Sequence, residues 1–281
     1  MRHLVAIAAI AVPLALLLAT GCRQAPGVPP AAAPASPAPQ APRERLTVFA
    51  GAASKPALEE LARIYGEKHG AVVDITFGGS GSMLTQFSQE HYGDLYVPGS
   101  DDFMDKAEAK EAVLKDTRTP LVYLVPTLGV AKGNPKHIKG LADLSRPDVR
   151  VVVGEPKSVC LGAIARDALQ AEGIWDEVAP RVASYATSCE NVLQVLLLGE
   201  ADVIIGWDVF ARQHPDKVES VPLPAKYSRP RNIPAAVIKW STQPEAARAL
   251  IEFLAGPEAR PVWQKHGYTT GSPTGAAKPG P

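Results

Sequence analysis

The sequence predicts an α/β fold with mainly parallel sheets. Short runs of β-branched and aromatic residues alternate with amphipathic helical segments along residues 46–265, and this alternation is typical of sheets flanked by helices. Several strands run into turns rich in glycine and serine. The chain of 281 residues is 46% hydrophobic, which suffices for one large or two modest globular domains.

Four strands with intervening helices make up the first half. The strands are predicted at 46–50, 72–77, 94–97 and 121–125, and 129–131 is expected to extend the last of them. The first helix carries Leu58, Leu61 and Tyr65 on one face. An amphipathic helix follows the second strand, and a polar helix is expected at 102–110.

The second half repeats this rhythm. Strands are predicted at 149–153, 183–186, 201–205 and 234–239, and helices at 245–254 and 258–265 complete the domain. Two further helices follow the first two of these strands. One carries Ile164 and Leu169 on its apolar face, and the other, capped by the segment 187–190, carries Val195 and Leu196.

Four strand-to-helix turns carry groups suited to an anion. They contain Ser54, Ser80, the segment 159–162 and the segment 189–192. Ligands of open α/β sheets bind at the carboxyl ends of the strands, where helix N-termini expose unpaired N–H groups. Taken singly, each turn is equally consistent with ordinary helix capping, and the dinucleotide pattern GxGxxG is absent from the segment 76–84.

Composition argues against several other functions. Lys+Arg and Asp+Glu both number 29, so the chain lacks the basic excess of a nucleic-acid binder. HExxH, CxxC and paired-carboxylate patterns are absent, and the six histidines are scattered. The remaining catalytic hypothesis is an enzyme with Cys160 as a helix-N-terminal nucleophile.

The two ends of the chain are predicted to lie outside the folded domain. Residues 1–22 have the short basic start and apolar run of a signal peptide. The run ends in Gly-Cys, which resembles a bacterial lipoprotein processing site with Cys22 as the lipid-bearing residue; a secreted protein with a chance cysteine is the alternative. The Pro/Ala-rich segment 23–44 predicts a semi-stiff tether, and 271–281 a disordered tail.

Six motifs follow one another along the chain. They are VFAGAAS at 48–54, FGGSGSM at 77–83, GDLYVPGSDDFMD at 93–105, VGEPKSVCLGAIARDAL at 153–169, ENVLQVLLLGEAD at 190–202 and GWDVF at 206–210. Together they resemble the periplasmic molybdate-binding proteins of bacterial ABC importers, which have the type II periplasmic binding fold. The resemblance implies a monomeric, non-enzymatic receptor without cofactors that delivers molybdate or tungstate to an ABC permease, tied to the membrane by its lipid.

The resemblance also implies where the ligand binds. Two lobes, 45–126 plus 236–270 and 127–235, would close over the anion. The ligand-binding residues it implies, with oxyanion contacts from hydroxyls, backbone N–H groups and one indole, are Ser54, Ser80, Leu161, Val192 and Trp207. Trp207 stands where the family commonly has tyrosine, and its indole N–H can donate as a hydroxyl does. Cys160 stands where proline is frequent.

The ligand's identity stays open at this point. Molybdate, tungstate and sulfate are all dianions at neutral pH, and a site made of donors suits each of them. A soft ligand bound directly by Cys160 and Cys189 is a further alternative. The resemblance places both cysteines in turns that face the anion. In an oxidising compartment, with Cys22 taken by lipid, this predicts a Cys160–Cys189 disulfide. Two small buried thiols that never meet are the alternative.

Overall fold

The computed structural model describes residues 44–271. The predicted signal peptide, Cys22 and nearly all of the predicted tether and tail lie outside the described residues. The predicted α/β fold is confirmed, because two five-stranded mixed sheets flanked by helices make up the described part. No helix within 44–271 is long and apolar enough to cross a bilayer.

Strands and helices alternate along most of the chain. The strands are β1 (Arg45–Gly51), β2 (Val72–Gly78), β3 (Leu95–Val97), β4 (Thr119–Leu124), β5 (Pro126–Ala131), β6 (Val151–Gly154), β7 (Tyr185–Ala186), β8 (Val203–Trp207), β9 (Val218–Pro222) and β10 (Arg231–Val237). The helices are α1 (Lys55–His69), α2 (Ser80–Glu90), α3 (Asp101–Ala109), α4 (Cys160–Ala171), α5 (Trp175–Val178), α6 (Cys189–Leu197), α7 (Asp208–Gln213), α8 (Pro244–Ala255) and α9 (Arg260–Lys265).

The two sheets share one plan. The first has the order β2-β1-β3-β10-β4 and the second the order β7-β6-β8-β5-β9. In each sheet the strands that lead into helices pair in parallel. The antiparallel pairs are made by one strand from the other half of the chain, β10 in the first sheet and β5 in the second. Parallel strands end at the same edge, so the turns that follow β1 and β2, and those that follow β6 and β7, gather at one edge of each sheet.

The chain crosses between the sheets earlier than expected in both places. Residues 129–131 do not extend β4, because the chain leaves the first sheet at Val125 and β5 belongs to the second sheet. The Val125 N–H donates to the Asp208 carboxylate at 2.9 Å instead of to a neighbouring strand. The return crossing lies between 222 and 231, so the predicted boundary at 235/236 falls inside β10, whose residues pair with β4 and β3.

Buried apolar residues fill the space on both faces of the sheets. The α1 residues Leu58, Leu61 and Tyr65 lie in one core cluster with strand residues of the first sheet. That cluster continues without a break to Val192 and Trp207, which belong to α6 and β8. The apolar core therefore extends from one sheet to the other through the region where the four turns meet.

Candidate functional site

Four helix N-termini converge between the two sheets. The helix α1 follows Ser54 directly, and α2, α4 and α6 begin at Ser80, Cys160 and Cys189. A Cβ placed on Gly79 would lie 2.7 Å from the carbonyl oxygens of both Ser158 and Thr187. The backbone at the start of α2 therefore contacts the backbone just before α4 and α6. The structure thus brings together the turns that the sequence singles out.

The two predicted serines are buried and already hydrogen bonded. Ser80 and Ser54 are 2% and 0% exposed. The Ser80 hydroxyl accepts from the Gly99 N–H at 2.9 Å, whereas the Ser54 hydroxyl donates to the Gly51 carbonyl at 3.0 Å. The Tyr96 hydroxyl donates to the Ser80 carbonyl at 2.8 Å, and burial raises the pKa of Tyr96, which keeps it a donor. Ser80 is thus held in place from two sides.

Gly99 is a site residue that the sequence alone does not identify. A Cβ on Gly99 would lie 2.9 Å from the Cys160 sulfur and 3.5 Å from the Ser80 hydroxyl. Only a residue without a side chain allows the segment after β3 to approach both groups this closely. The sole sequence signal is its position between Pro98 and Ser100 in one of the six motifs.

Two thiols face each other inside this cluster. Cys160 and Cys189 are 1% and 3% exposed, and their sulfurs are 3.3 Å apart. Both are free thiols in the structure, so the predicted disulfide is not formed here although its partners are in contact. The hydrogen bond between the two thiols lowers the pKa of Cys189. The same hydrogen bond, together with burial, raises the pKa of Cys160 well above its usual value.

The predicted N–H donors differ in how they are used. The Leu161 N–H, in the first turn of α4, points at the sulfurs and helps to lower the pKa of Cys189. Trp207 is fully buried, and its indole nitrogen makes no hydrogen bond of ordinary geometry within 44–271. The indole faces Cys189 and contributes to the same lowered pKa. The Val192 N–H donates to the Ser188 carbonyl at 3.1 Å and so serves its own helix.

Contacts beside the thiols hold the two sheets together. Lys55 Nζ of α1 lies 2.9 Å and 3.2 Å from the carboxylate oxygens of Glu190 in α6, and this hydrogen bond raises the pKa of Lys55. The Gly81 N–H donates to the Ser158 carbonyl at 2.8 Å. A cavity of about 190 Å³ adjoins the ion pair and reaches Ala53, next to Ser54. The sequence alone does not predict this ion pair, since 135 residues separate its partners.

The chemistry of the cluster suits binding better than catalysis. Its donors are hydroxyls, backbone N–H groups and an indole. None of the predicted serine, cysteine and tryptophan side chains carries a positive charge. Asp208 is turned away, because its carboxylate accepts from the Val125 N–H and pairs with Arg212 at 2.8 Å. The raised pKa of Cys160 makes its thiol a poor nucleophile. The arrangement can hold an anion by N–H and O–H donors at helix N-termini.

Comparison with known proteins identifies the family. The family model described as bacterial extracellular solute-binding protein matches residues 46–269. The chain belongs to this family. It is therefore a solute-binding protein and not an enzyme, which removes the hypothesis of a Cys160 nucleophile. Family membership also places the folded domain outside the cytoplasm.

Relatives of this solute-binding protein carry more specific names. It is 26% identical to a putative ABC transporter substrate-binding lipoprotein of Bacillus subtilis, covering 80% of this chain and 86% of the relative. It is also 26% identical to the molybdate-binding protein ModA of Escherichia coli, covering 80% and 89%. A solved sulfate-binding protein, SubI of Mycobacterium tuberculosis, has the same fold, with a TM-score of 0.71 at 21% identity over 80% of this chain and 86% of that one.

Proposed function

We propose that this solute-binding protein captures molybdate or tungstate and delivers it to an ABC permease. The observation that carries the proposal is the convergence of four helix N-termini on a buried cluster of donors. Helix N-termini attract anions through their dipoles and unpaired N–H groups, and a fully ionised dianion requires donors only. The name of the Escherichia coli relative supports molybdate as the cargo, and that of the Bacillus subtilis relative supports the permease partner.

The proposed ligand-binding residues are Ser54, Ser80, Leu161, Val192 and Trp207. The Ser54 hydroxyl would redirect its proton from the Gly51 carbonyl to a ligand oxygen. The Ser80 hydroxyl would donate its own proton to the ligand and could still accept from the Gly99 N–H. Among residues 44–271 the indole N–H of Trp207 has no acceptor at ordinary hydrogen-bond geometry, so it is the donor with the most to gain, because an unsatisfied buried N–H costs about 1–3 kcal/mol. Val192 would share an N–H that its helix already uses.

A calorimetric panel of oxyanions tests the proposed function. Molybdate and tungstate are expected to bind one per chain, and each should stabilise the fold by about 2.7 kcal/mol when present at 100 times its Kd. Sulfate is the comparison ligand, since it has the same charge on a smaller anion. Binding of sulfate alone would assign the site to that anion, and failure of all three would refute the oxyanion proposal.

We further propose that the two sheets are the cores of two lobes that part to admit the ligand. In this structure the Lys55–Glu190 and Gly81–Ser158 contacts hold the sheets together, so an open form must break both. Small-angle scattering of the ligand-free protein should give a larger radius of gyration than that of the molybdate-saturated protein, because hinge closure is the usual response of such receptors. Identical profiles would argue against closure.

Membrane anchoring through Cys22 is proposed from the sequence and from the lipoprotein name of the Bacillus subtilis relative. Mass spectrometry of the protein extracted from bacterial membranes is expected to find a lipid-modified Cys22 as the first residue. A Cys22→Ser variant should appear in the soluble fraction. An unmodified N-terminus elsewhere in the wild-type protein would contradict the anchor.

Oxidation of the buried thiol pair remains a prediction. A disulfide would close a loop of 29 residues between Cys160 and Cys189, and the chain-entropy model then gives a stabilisation of roughly 3–4 kcal/mol. Thiol counting on the denatured, unreduced soluble domain, residues 43–281, which excludes Cys22, is expected to detect neither cysteine. Two reactive thiols in a protein purified under air would refute the bond.

A further inference from the structure

The reduced thiol pair has the features of a binding site in its own right. Two sulfurs 3.3 Å apart are buried at the starts of two helices. An independent group also points to a ligand there, since the fully buried Trp207 indole faces Cys189 with its N–H unpaired among the described residues. The oxyanion proposal uses the indole but gives the sulfurs no role.

The spacing of the sulfurs limits what could bridge them. An atom bonded to both at about 2.3 Å, the length of a Zn–S bond, would subtend an S–atom–S angle of roughly 90° across the 3.3 Å separation. Tetrahedral zinc would also need further protein ligands, and no cluster of three or more His, Cys, Asp or Glu side chains suited to a metal lies within 44–271. A two-coordinate metal ion prefers its sulfurs on opposite sides. An angle near 90° is that of a pyramidal, three-coordinate element with a lone pair.

We propose that the reduced Cys160–Cys189 pair binds a trivalent arsenic or antimony oxyacid as a dithiolate that retains one hydroxyl group. In the reaction with arsenous acid, As(OH)₃, two As–O bonds break and two As–S bonds form. The two thiol protons leave with the two hydroxides as water, and no atom changes oxidation state. The indole N–H of Trp207 is placed to donate to the remaining hydroxyl.

Charge favours this ligand over a bare metal ion at the thiols. The adduct is neutral, and a buried site penalises net charge strongly. The hydrogen bond with Cys189 and burial raise the pKa of the Cys160 thiol, and the charge of Asp102 adds to that rise. Arsenous acid is also uncharged at neutral pH, so it reaches the site without the desolvation penalty of an ion. The inference goes beyond the oxyanion function and does not depend on it.

The test titrates arsenite into the full chain reduced with a phosphine, because dithiol reductants would compete for arsenic. Tryptophan fluorescence and native mass spectrometry should report one arsenic per chain. Cys160→Ser and Cys189→Ser should each weaken binding on the order of 100-fold or more, because one thiol loses the effective concentration supplied by the other. The exposed Ser82→Ala is the matched control and should bind as the wild type does.

Three results would overturn the inference. The first is that the wild type does not bind arsenite although both thiols can be titrated after denaturation. The second is that either cysteine variant still binds arsenite. The third is that a sample with the disulfide formed binds arsenite as well as the reduced protein does. X-ray absorption on the wild type needs no variant, and it should show two As–S bonds and one As–O bond. The same samples are also titrated with molybdate. The arsenite result tests the thiol site whether or not molybdate binds, so the two proposals can fail separately.

Discussion

Replacing Gly162 with alanine is expected to destabilise the fold by about 3 kcal/mol, at the upper end of the usual cost of overpacking. Gly162 lies in the first turn of α4 and packs on the end of β6. A Cβ there would lie 2.5 Å from the Gly154 carbonyl carbon and 2.6 Å from that of Glu155. Because both neighbours are backbone, neither can rotate away. The helix must move, and Cys160 and Leu161 move with it.

Urea denaturation measures the effect, and Gly140→Ala is the matched control. Apart from its chain neighbours, no atom of residues 44–271 lies within 4 Å of a Cβ at Gly140, and its φ of 178° is extended backbone open to any residue. The control should therefore change the free energy of unfolding by less than about 0.5 kcal/mol. Equal stability of the two variants would show that α4 does not depend on the close contact with β6.

Ser80→Ala is expected to weaken molybdate binding by about 1.5–3 kcal/mol, the range for hydrogen bonds to charged groups. This corresponds to a rise in Kd of roughly 10- to 150-fold. The variant also loses stability, because the Gly99 N–H is left without its buried acceptor. The affinity must therefore be measured by calorimetry at a temperature where the variant is fully folded.

Ser82→Ala on the same helix is the control for this prediction. Ser82 is exposed, two residues from Ser80, so its loss should leave the affinity unchanged while making the same chemical change in the same turn. If Ser80→Ala and Ser82→Ala bind molybdate equally well, Ser80 has only a structural role, as the partner of Gly99.

Much of the fold could be predicted because local signals and burial agree. The Gly/Ser turn at 76–84 does lead from β2 into α2, and α2 begins at Ser80. The predicted cap of α6 is present, with the Ser188 hydroxyl accepting from the Asn191 N–H at 3.1 Å. Such features depend on residues close together in sequence, and a single chain reveals them.

The wrong predictions concern features that depend on residues far apart in the sequence. The apolar run from β4 to β5 reads as one strand, but the bonds between Val125 and Asp208 divide it between two sheets. The edge strand β9 was not predicted, since its five residues are only partly apolar and partly buried. The Lys55–Glu190 pair, the place of Gly99 and the 3.3 Å approach of the sulfurs also depend on how the sheets meet.

Crystals grown with tungstate would test the central claim most directly, because tungsten scatters anomalously and its position needs no interpretation of side chains. One tungsten peak per chain is expected among the N-termini of α1, α2, α4 and α6. It should lie within reach of the Ser54 and Ser80 hydroxyls, the Leu161 N–H and the Trp207 indole. A peak elsewhere on the chain, or none at saturating tungstate, would contradict it.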